Sequence, residues 1–206
     1  MLTISDFPVR DTCTDSLFSS DCPFQGEIPL KLYLRFFWLL ITQSFKSRCQ
    51  VSGPVVTRMR VYPNDLDING HVNNGVYLTY ADLGRLDMML RSDVLWPIVR
   101  KGWNPVVLAE TVRFYKSLKL FQRFEMTTRV LGWDEKNFFL EQRFTRGDTL
   151  YALVIINARF LIRGGGSVST EKLLAVLGIE ESSPAVPDWV EQWRVATETC
   201  DVLNRG

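Results

Sequence analysis

The sequence predicts an α+β domain in which an antiparallel sheet wraps one long central helix. Three observations carry that reading. Residues 73–91 place Val76, Tyr80 and Leu83 on one helical stripe, beside Tyr77, Gly84 and Met88. Four later stretches, 105–116, 123–131, 137–145 and 149–162, alternate with the period of strands. The chain has 206 residues, 46% of them hydrophobic, which suffices for one packed domain with appendages.

The elements follow in order. Residues 1–27 carry Asp6, Asp11, Asp15, Asp21 and Glu27 against Arg10, with Pro8 and Pro23, and read as a loosely ordered acidic arm. A signal peptide would start with a basic region followed by an apolar stretch, and this segment does neither. Residues 28–50 reverse the sign, with Lys31, Arg35, Lys46 and Arg48 and no acid. Their apolar run, 32–41, is shorter than the roughly 20 residues a spanning helix needs. Apolar and basic residues together fit a helix at an anionic membrane surface, with 28–46 as the contact, or one packed on the protein's own body or a subunit.

Residues 55–62 alternate and end at Pro63, giving the first strand; 64–71 are turn formers and caps. After the long helix, 93–100 reads as a shorter helical piece around Pro97. Strand 105–116 sets Val106, Leu108, Glu110, Val112 and Phe114 on one face. Strand 123–131 alternates Phe124, Met126, Thr128 and Val130 with charged and polar residues, as a half-buried antiparallel strand does. In 149–162 one face is wholly apolar and the other, Tyr151, Leu153, Ile155 and Asn157, is half apolar. That is more than one helix can cover, so a second copy is expected to join there. Gly164–Gly166 end the sheet, Ser169 and Gly178 bracket a short helix, and Pro187 opens a tail helix with Trp189 and Trp193.

Composition excludes several functions. With 24 Lys+Arg against 23 Asp+Glu, the net charge is +1, which gives no basic face for nucleic acid. One histidine, His71, cannot build a multi-His metal centre, and no cofactor motif is present. Cys13, Cys22, Cys49 and Cys200 lack Cys-x-x-Cys spacing, as expected of a reducing, cytoplasmic compartment. Gly164–Gly166 lack the Lys-Ser/Thr of a phosphate cradle, and no Gly-x-Ser-x-Gly elbow occurs.

The chemistry concentrates between the first strand and the long helix, at Asn64, Asp65, Asp67, Asn69, His71, Asn73 and Asn74. Asp and Asn before a helix are ordinary caps. Here they outnumber the free N–H groups of one helix end. Asp67, Asn69 and His71 alternate, so an extended turn would set them on one side. The apolar helix behind them is expected to point its N-terminus into a buried place. Helix N–H groups polarise a carbonyl, and a nearby carboxylate serves as a base for water or as a nucleophile. Glu110 interrupts an apolar face, so it either meets a partner, borders a cavity, takes a proton or reaches solvent through a bulge.

The run Asn64-Asp65-Leu66-Asp67-Ile68-Asn69-Gly70-His71-Val72-Asn73-Asn74-Gly75-Val76-Tyr77 resembles the signature of hotdog-fold thioesterases of the 4-hydroxybenzoyl-CoA thioesterase-like superfamily, in its acyl-CoA thioesterase-like branch. The similarity continues through Asp82–Arg85, Val112–Leu118 and Gly132-Trp133-Asp134-Glu135, covering roughly residues 55–163. The resemblance implies a hotdog domain over 51–166, with a helical tail over 167–206 and the 1–50 extension outside the shared core. It implies Asp67 as the catalytic carboxylate. It likewise makes Asp67, Asn69 and His71 counterparts of the Asp-x-Asn-x-His of plant acyl-carrier-protein thioesterases. Glu110 is the nearest candidate for those enzymes' downstream Glu, and the thioester carbonyl would meet N–H groups near Asn74. Tyr77 closes the motif at the substrate, and Arg113, Lys116 and Lys119 are candidate cations for CoA phosphates. Family members are dimers or tetramers with sites at subunit interfaces. The expected activity is hydrolysis of an acyl-CoA or acyl-carrier-protein thioester. The alternatives are an acyl- or lipid-binding hotdog protein without turnover and a membrane-associated interaction protein.

Overall fold

The computed structural model describes Arg35, Phe37, Ile41, residues 47–51 and residues 53–203, with side chains as far as Thr199. The acidic arm and most of the basic segment 28–46 lie outside the described residues; Arg35, Phe37 and Ile41 are helical. The elements are β1 (Val55–Arg60), a 3-10 turn (Pro63–Asp65), α1 (Asn74–Arg91), α2 (Leu95–Arg100), β2 (Trp103–Phe114), β3 (Arg123–Trp133), β4 (Asn137–Arg146), β5 (Thr149–Ile162), α3 (Thr170–Leu177) and α4 (Asp188–Leu203). The strands form one antiparallel sheet in the order β1-β3-β4-β5-β2.

The sheet buries α1 as a hotdog fold requires. Tyr77, Tyr80, Ala81 and Met88 of α1 pack with Val55, Phe124, Met126, Phe144, Ala152, Val154 and Ile156 from four strands. Close approach is possible because residue 84 is glycine: a Cβ there would sit 2.1 Å from the Met126 methyl and 3.0 Å from Gln142 Nε2. Below that contact the buried Gln142 amide donates to the Ala81 carbonyl at 2.9 Å and the Thr128 hydroxyl at 2.9 Å, while its oxygen accepts from Arg85 at 3.1 Å. A polar side chain under the helix is tolerated because both of its ends are satisfied.

One expectation is corrected, and one open alternative is decided. The half-apolar face of β5 is not left for a second copy. Val190 of α4, fully buried, packs there against Leu131, Phe139 and Ile155, with Leu153, Val186 and Trp193 around it. β5 is also paired on both sides, so it has no open edge; the unpaired long edge is β2. For Glu110 the alternative found is the bulge that lets it reach solvent. A register shift between Val107 and Ala109 changes the phase of β2, and Glu110, opposite Ile156, lies exposed on the edge strand. The bulge adds a residue that strict alternation cannot anticipate.

Ser169 caps α3, its side chain accepting from the Lys172 N–H, and Gly178 ends the helix at φ 66°. The chain then crosses the sheet's outer face to α4. Gly132 makes that crossing possible: at φ 155°, a Cβ would lie 2.6 Å from Val186 Cγ2 and 2.8 Å from the Pro184 carbonyl oxygen.

Candidate active site

The segment between β1 and α1 folds into a tight turn rather than an extended one. Asp67 N–H donates to the His71 carbonyl at 2.8 Å, and Gly70 N–H donates to the Asp67 carbonyl at 3.1 Å, with Gly70 at φ 72°. Leu66 and Val72 form a bridge behind it. Asp67 Oδ1 accepts from the Asn69 N–H at 2.8 Å and the His71 N–H at 3.3 Å. Asp67, Asn69 and His71 are therefore joined through backbone amides, not by side chains aligned along one side. The carboxylate is half-buried, and among the described residues no donor reaches its second oxygen.

The turn leads straight into the helix. Asn73 caps α1, its side chain accepting from the Gly75 N–H at 2.9 Å, and its carbonyl accepts from Val76 N–H at 2.9 Å. Asn74 supplies the first helical amide, and no described group accepts from it. In the single chain this end is not buried as the sequence led us to expect, because Asn73, Asn74 and Gly75 are all exposed. They project past the sheet, so any low-dielectric surroundings must come from substrate or a second copy.

Asp65 anchors the turn from below. It is buried, and its Oδ2 accepts from Arg35 Nη2 at 2.5 Å, the Tyr80 hydroxyl at 2.8 Å and the Tyr62 N–H at 2.8 Å. Its carbonyl accepts from the Asn73 N–H at 2.9 Å, closing the loop's base. The Arg35 guanidinium lies 4.9 Å from the Tyr80 ring centre and 5.3 Å from that of Tyr62. Burial would lower the affinity of Arg35 for its proton, but Tyr80 and Asp65 raise it above the ordinary value. Burial also pushes the Tyr80 hydroxyl well up, with Asp65 aiding and Arg35 opposing.

The other candidates fall into two groups. Lys119 is brought to the turn by a backbone bridge with His71, and Val72 N–H donates to the Leu118 carbonyl at 3.0 Å. Arg113, stacked 5.2 Å from the Tyr115 ring centre, and Lys116 are exposed at the end of β2. Tyr77 is a wall of the core: only 2% exposed, it packs edge-on to Phe114 and Phe144 while its hydroxyl accepts from the Leu118 N–H. Glu110 stands apart, beside Arg85 and Asp82. Arg85 lies about 16 Å along α1 from Asn74 at 1.5 Å per residue, so one chain does not bring Glu110 to Asp67. Among the described residues no cluster of His, Cys, Asp and Glu could hold a metal ion.

A family model described as thioesterase-like superfamily matches residues 61–194, from the end of β1 through the turn, sheet and tail into α4. The chain belongs to the thioesterase-like superfamily. It is 33% identical over 141 residues to Protein THEM6 of Danio rerio, covering 68% of this chain and 70% of that one. It is 32% identical over 133 residues to Protein THEM6 of Xenopus laevis, where the match spans 65% of this chain and 63% of the relative. The thioesterase fold recurs in YbaW, a probable thioesterase of Escherichia coli, at TM-score 0.56 and 21% identity, over 59% of this chain and 95% of that one. It recurs in SAV2348 of Staphylococcus aureus, solved in complex with CoA, at TM-score 0.54 and 17% identity, over 64% and 86%.

Sequence reasoning located the turn through its Asp-x-Asp and Gly-His spacing but missed Arg35 and Tyr80. Tyr80 reads as one more core aromatic, and nothing local to Arg35 signals a partner 30 residues away.

Proposed function

We propose that this protein hydrolyses acyl-CoA thioesters as a homodimer, with Asp67 as general base or nucleophile. The observation that carries the reading is the Asp67 carboxylate, held by two backbone amides on one oxygen at the start of α1. A fixed carboxylate next to a free helical N–H is the pair that thioester hydrolysis needs. The amide of Asn74 polarises the carbonyl, and Asp67 deprotonates water or attacks the carbonyl carbon, expelling the thiolate. Asn69 and His71 shape the turn and orient water, and Tyr77 backs the acyl pocket. Lys119, with Arg113 and Lys116, offers cations to the CoA phosphates. The CoA bound to the structural relative from Staphylococcus aureus supports that choice of carrier over an acyl-carrier protein.

A homodimer is supported by β2, a strand of 12 residues with an unpaired edge and Val107, Leu108 and Phe114 exposed. A second copy there would cover the exposed start of α1 and supply the Glu110 that one chain keeps away from Asp67.

Peripheral membrane contact is favoured by one further observation. Phe37 and Ile41, both helical, are 57% and 63% exposed in an apolar stretch whose charged residues are all basic. No helix among the described residues is long and apolar enough to cross a membrane.

The test is thiol release from a series of acyl-CoA esters by the purified chain. Saturable, enzyme-dependent release identifies a hydrolase. Saturable acyl-CoA binding without release identifies the binding protein instead.

A further inference from the structure

We infer that Arg35 is a positioning residue for the catalytic turn, acting through the buried Asp65 carboxylate. The inference rests on the reading of Asp67 as the catalytic group. Asp65 and Asp67 flank one residue, yet they do different things. Asp67 holds the tip of the turn through the amides of Asn69 and His71. The Asp65 carboxylate holds the entry to the turn through the Tyr62 amide, and the Asp65 backbone carbonyl accepts from the Asn73 amide at its base. Asp65 is 1% exposed, and a buried carboxylate keeps its charge only where a cation or several donors compensate it.

Arg35 supplies that compensation at 2.5 Å, with a side chain that is itself only 18% exposed. Its guanidinium lies against Tyr62, which precedes the turn, and Tyr80, one helical turn past Tyr77 on α1. The cation thus joins the basic segment, the entry to the turn and the helix whose N-terminus faces the substrate. Removing Arg35 takes away a charged hydrogen bond of 2.5 Å that fixes the Asp65 carboxylate. Its loss loosens the Tyr62 amide and the Tyr80 hydroxyl held by the same carboxylate, and with them the backbone of Asp65, whose carbonyl ties Asn73 to the base of the turn that carries Asp67. Misplacing a catalytic group by about 1 Å costs up to about 100-fold in rate. Seating of Arg35 is in this way coupled to the geometry of the reaction.

Amide hydrogen exchange on the full chain tests the coupling without reference to activity. In Arg35→Met, the amides of Asp67, Asn69, His71 and Asn73 should exchange at least about 10-fold faster, while those of β4 and β5 keep their protection. Arg35→Lys, which retains the charge, should recover part of the turn's protection. If Arg35→Met folds poorly, Arg35→Met/Asp65→Asn removes both buried charges and should show the same fast turn on an intact sheet. Unchanged turn amides, or acceleration of the sheet by the same factor, overturns the inference.

Turnover supplies the second arm. Arg35→Met should lower kcat about 10-fold with KM for acyl-CoA within about twofold, and should add nothing in an Asp67→Asn background. Full activity of folded Arg35→Met with Asp67→Asn inactive defeats the inference alone. Full activity of Asp67→Asn defeats the reading of Asp67 instead, and the exchange result then decides whether Arg35 holds the turn.

Discussion

Replacing Asp67 with Asn separates chemistry from folding at this site. The native Oδ1 accepts hydrogen bonds of 2.8 and 3.3 Å from two backbone amides. The amide oxygen of Asn can accept both, so the turn keeps its shape. What is lost is the charge that strengthens those two bonds. At a half-buried position this costs about 1 kcal/mol, the scale of a single net hydrogen bond. What the reaction loses is its base. Removing a general base typically costs two to four decades, or about 3–5 kcal/mol at 1.36 kcal/mol per decade. The assay is kcat at saturating acyl-CoA, with thermal melting and circular dichroism on the same preparation. His71→Ala should fall between Asp67→Asn and the native chain. A pure capping role predicts the reverse: a lowered melting temperature with kcat intact. Folded Asp67→Asn with near-native turnover would refute the assignment.

Three further outcomes follow from the packing. Gly132→Ala should destabilise the chain by about 3 kcal/mol, the scale of a forced overlap, because its Cβ meets Val186 and the Pro184 backbone; denaturant unfolding measures this, and a loss under 1 kcal/mol speaks against the docked tail. Partial desolvation of the exposed Glu110 against the strand raises its pKa, Arg85 opposing and Asp82 aiding, so the folded state holds this proton more tightly than the unfolded one. Its stabilising contribution is complete below the ordinary carboxylate pKa of about 4.3 and is lost as pH rises through the elevated value. Glu110→Gln should therefore gain melting temperature relative to the native chain on going from pH 4 to pH 7, and a flat difference contradicts the partial desolvation of Glu110 on the strand edge. Leu108, 47% exposed on β2, should be part of the contact between copies: Leu108→Lys should shift sedimentation from dimer to monomer, and an unshifted dimer places the contact elsewhere.

The elements were legible because each was written in a local period. The stripe of α1, the alternation of β3 and the Ser169 and Gly178 brackets of α3 all match the structure. What escaped was phase and partnership. One bulge residue near Leu108 moved Glu110 out to solvent, since a period-two strand carries no mark of where a residue is inserted. The second apolar face of β5 was read correctly as covered. Whether by another copy or by α4, 30 residues downstream, depends on tertiary reach that no window contains. The Asp67 motif located the turn, but its tightness comes from hydrogen bonds that close over four residues and override the alternation of the side chains.

The docking of α4 limits how copies can add. Val190 and its neighbours cover Leu131, Phe139 and Ile155 on the sheet's outer face, so the proposed pairing of copies would use the strand edges. One of those, β1, is six residues long, carries Arg58 and Arg60, and has its Val56 carbonyl taken by Arg91 Nη1 at 3.3 Å. Charged side chains on a short edge discourage a further strand. A copy pairing β2 to β2 about a twofold axis consumes the only long edge of both chains at once. In the proposed β2-to-β2 homodimer, α4 would be the element that keeps further copies from the sheet's outer face.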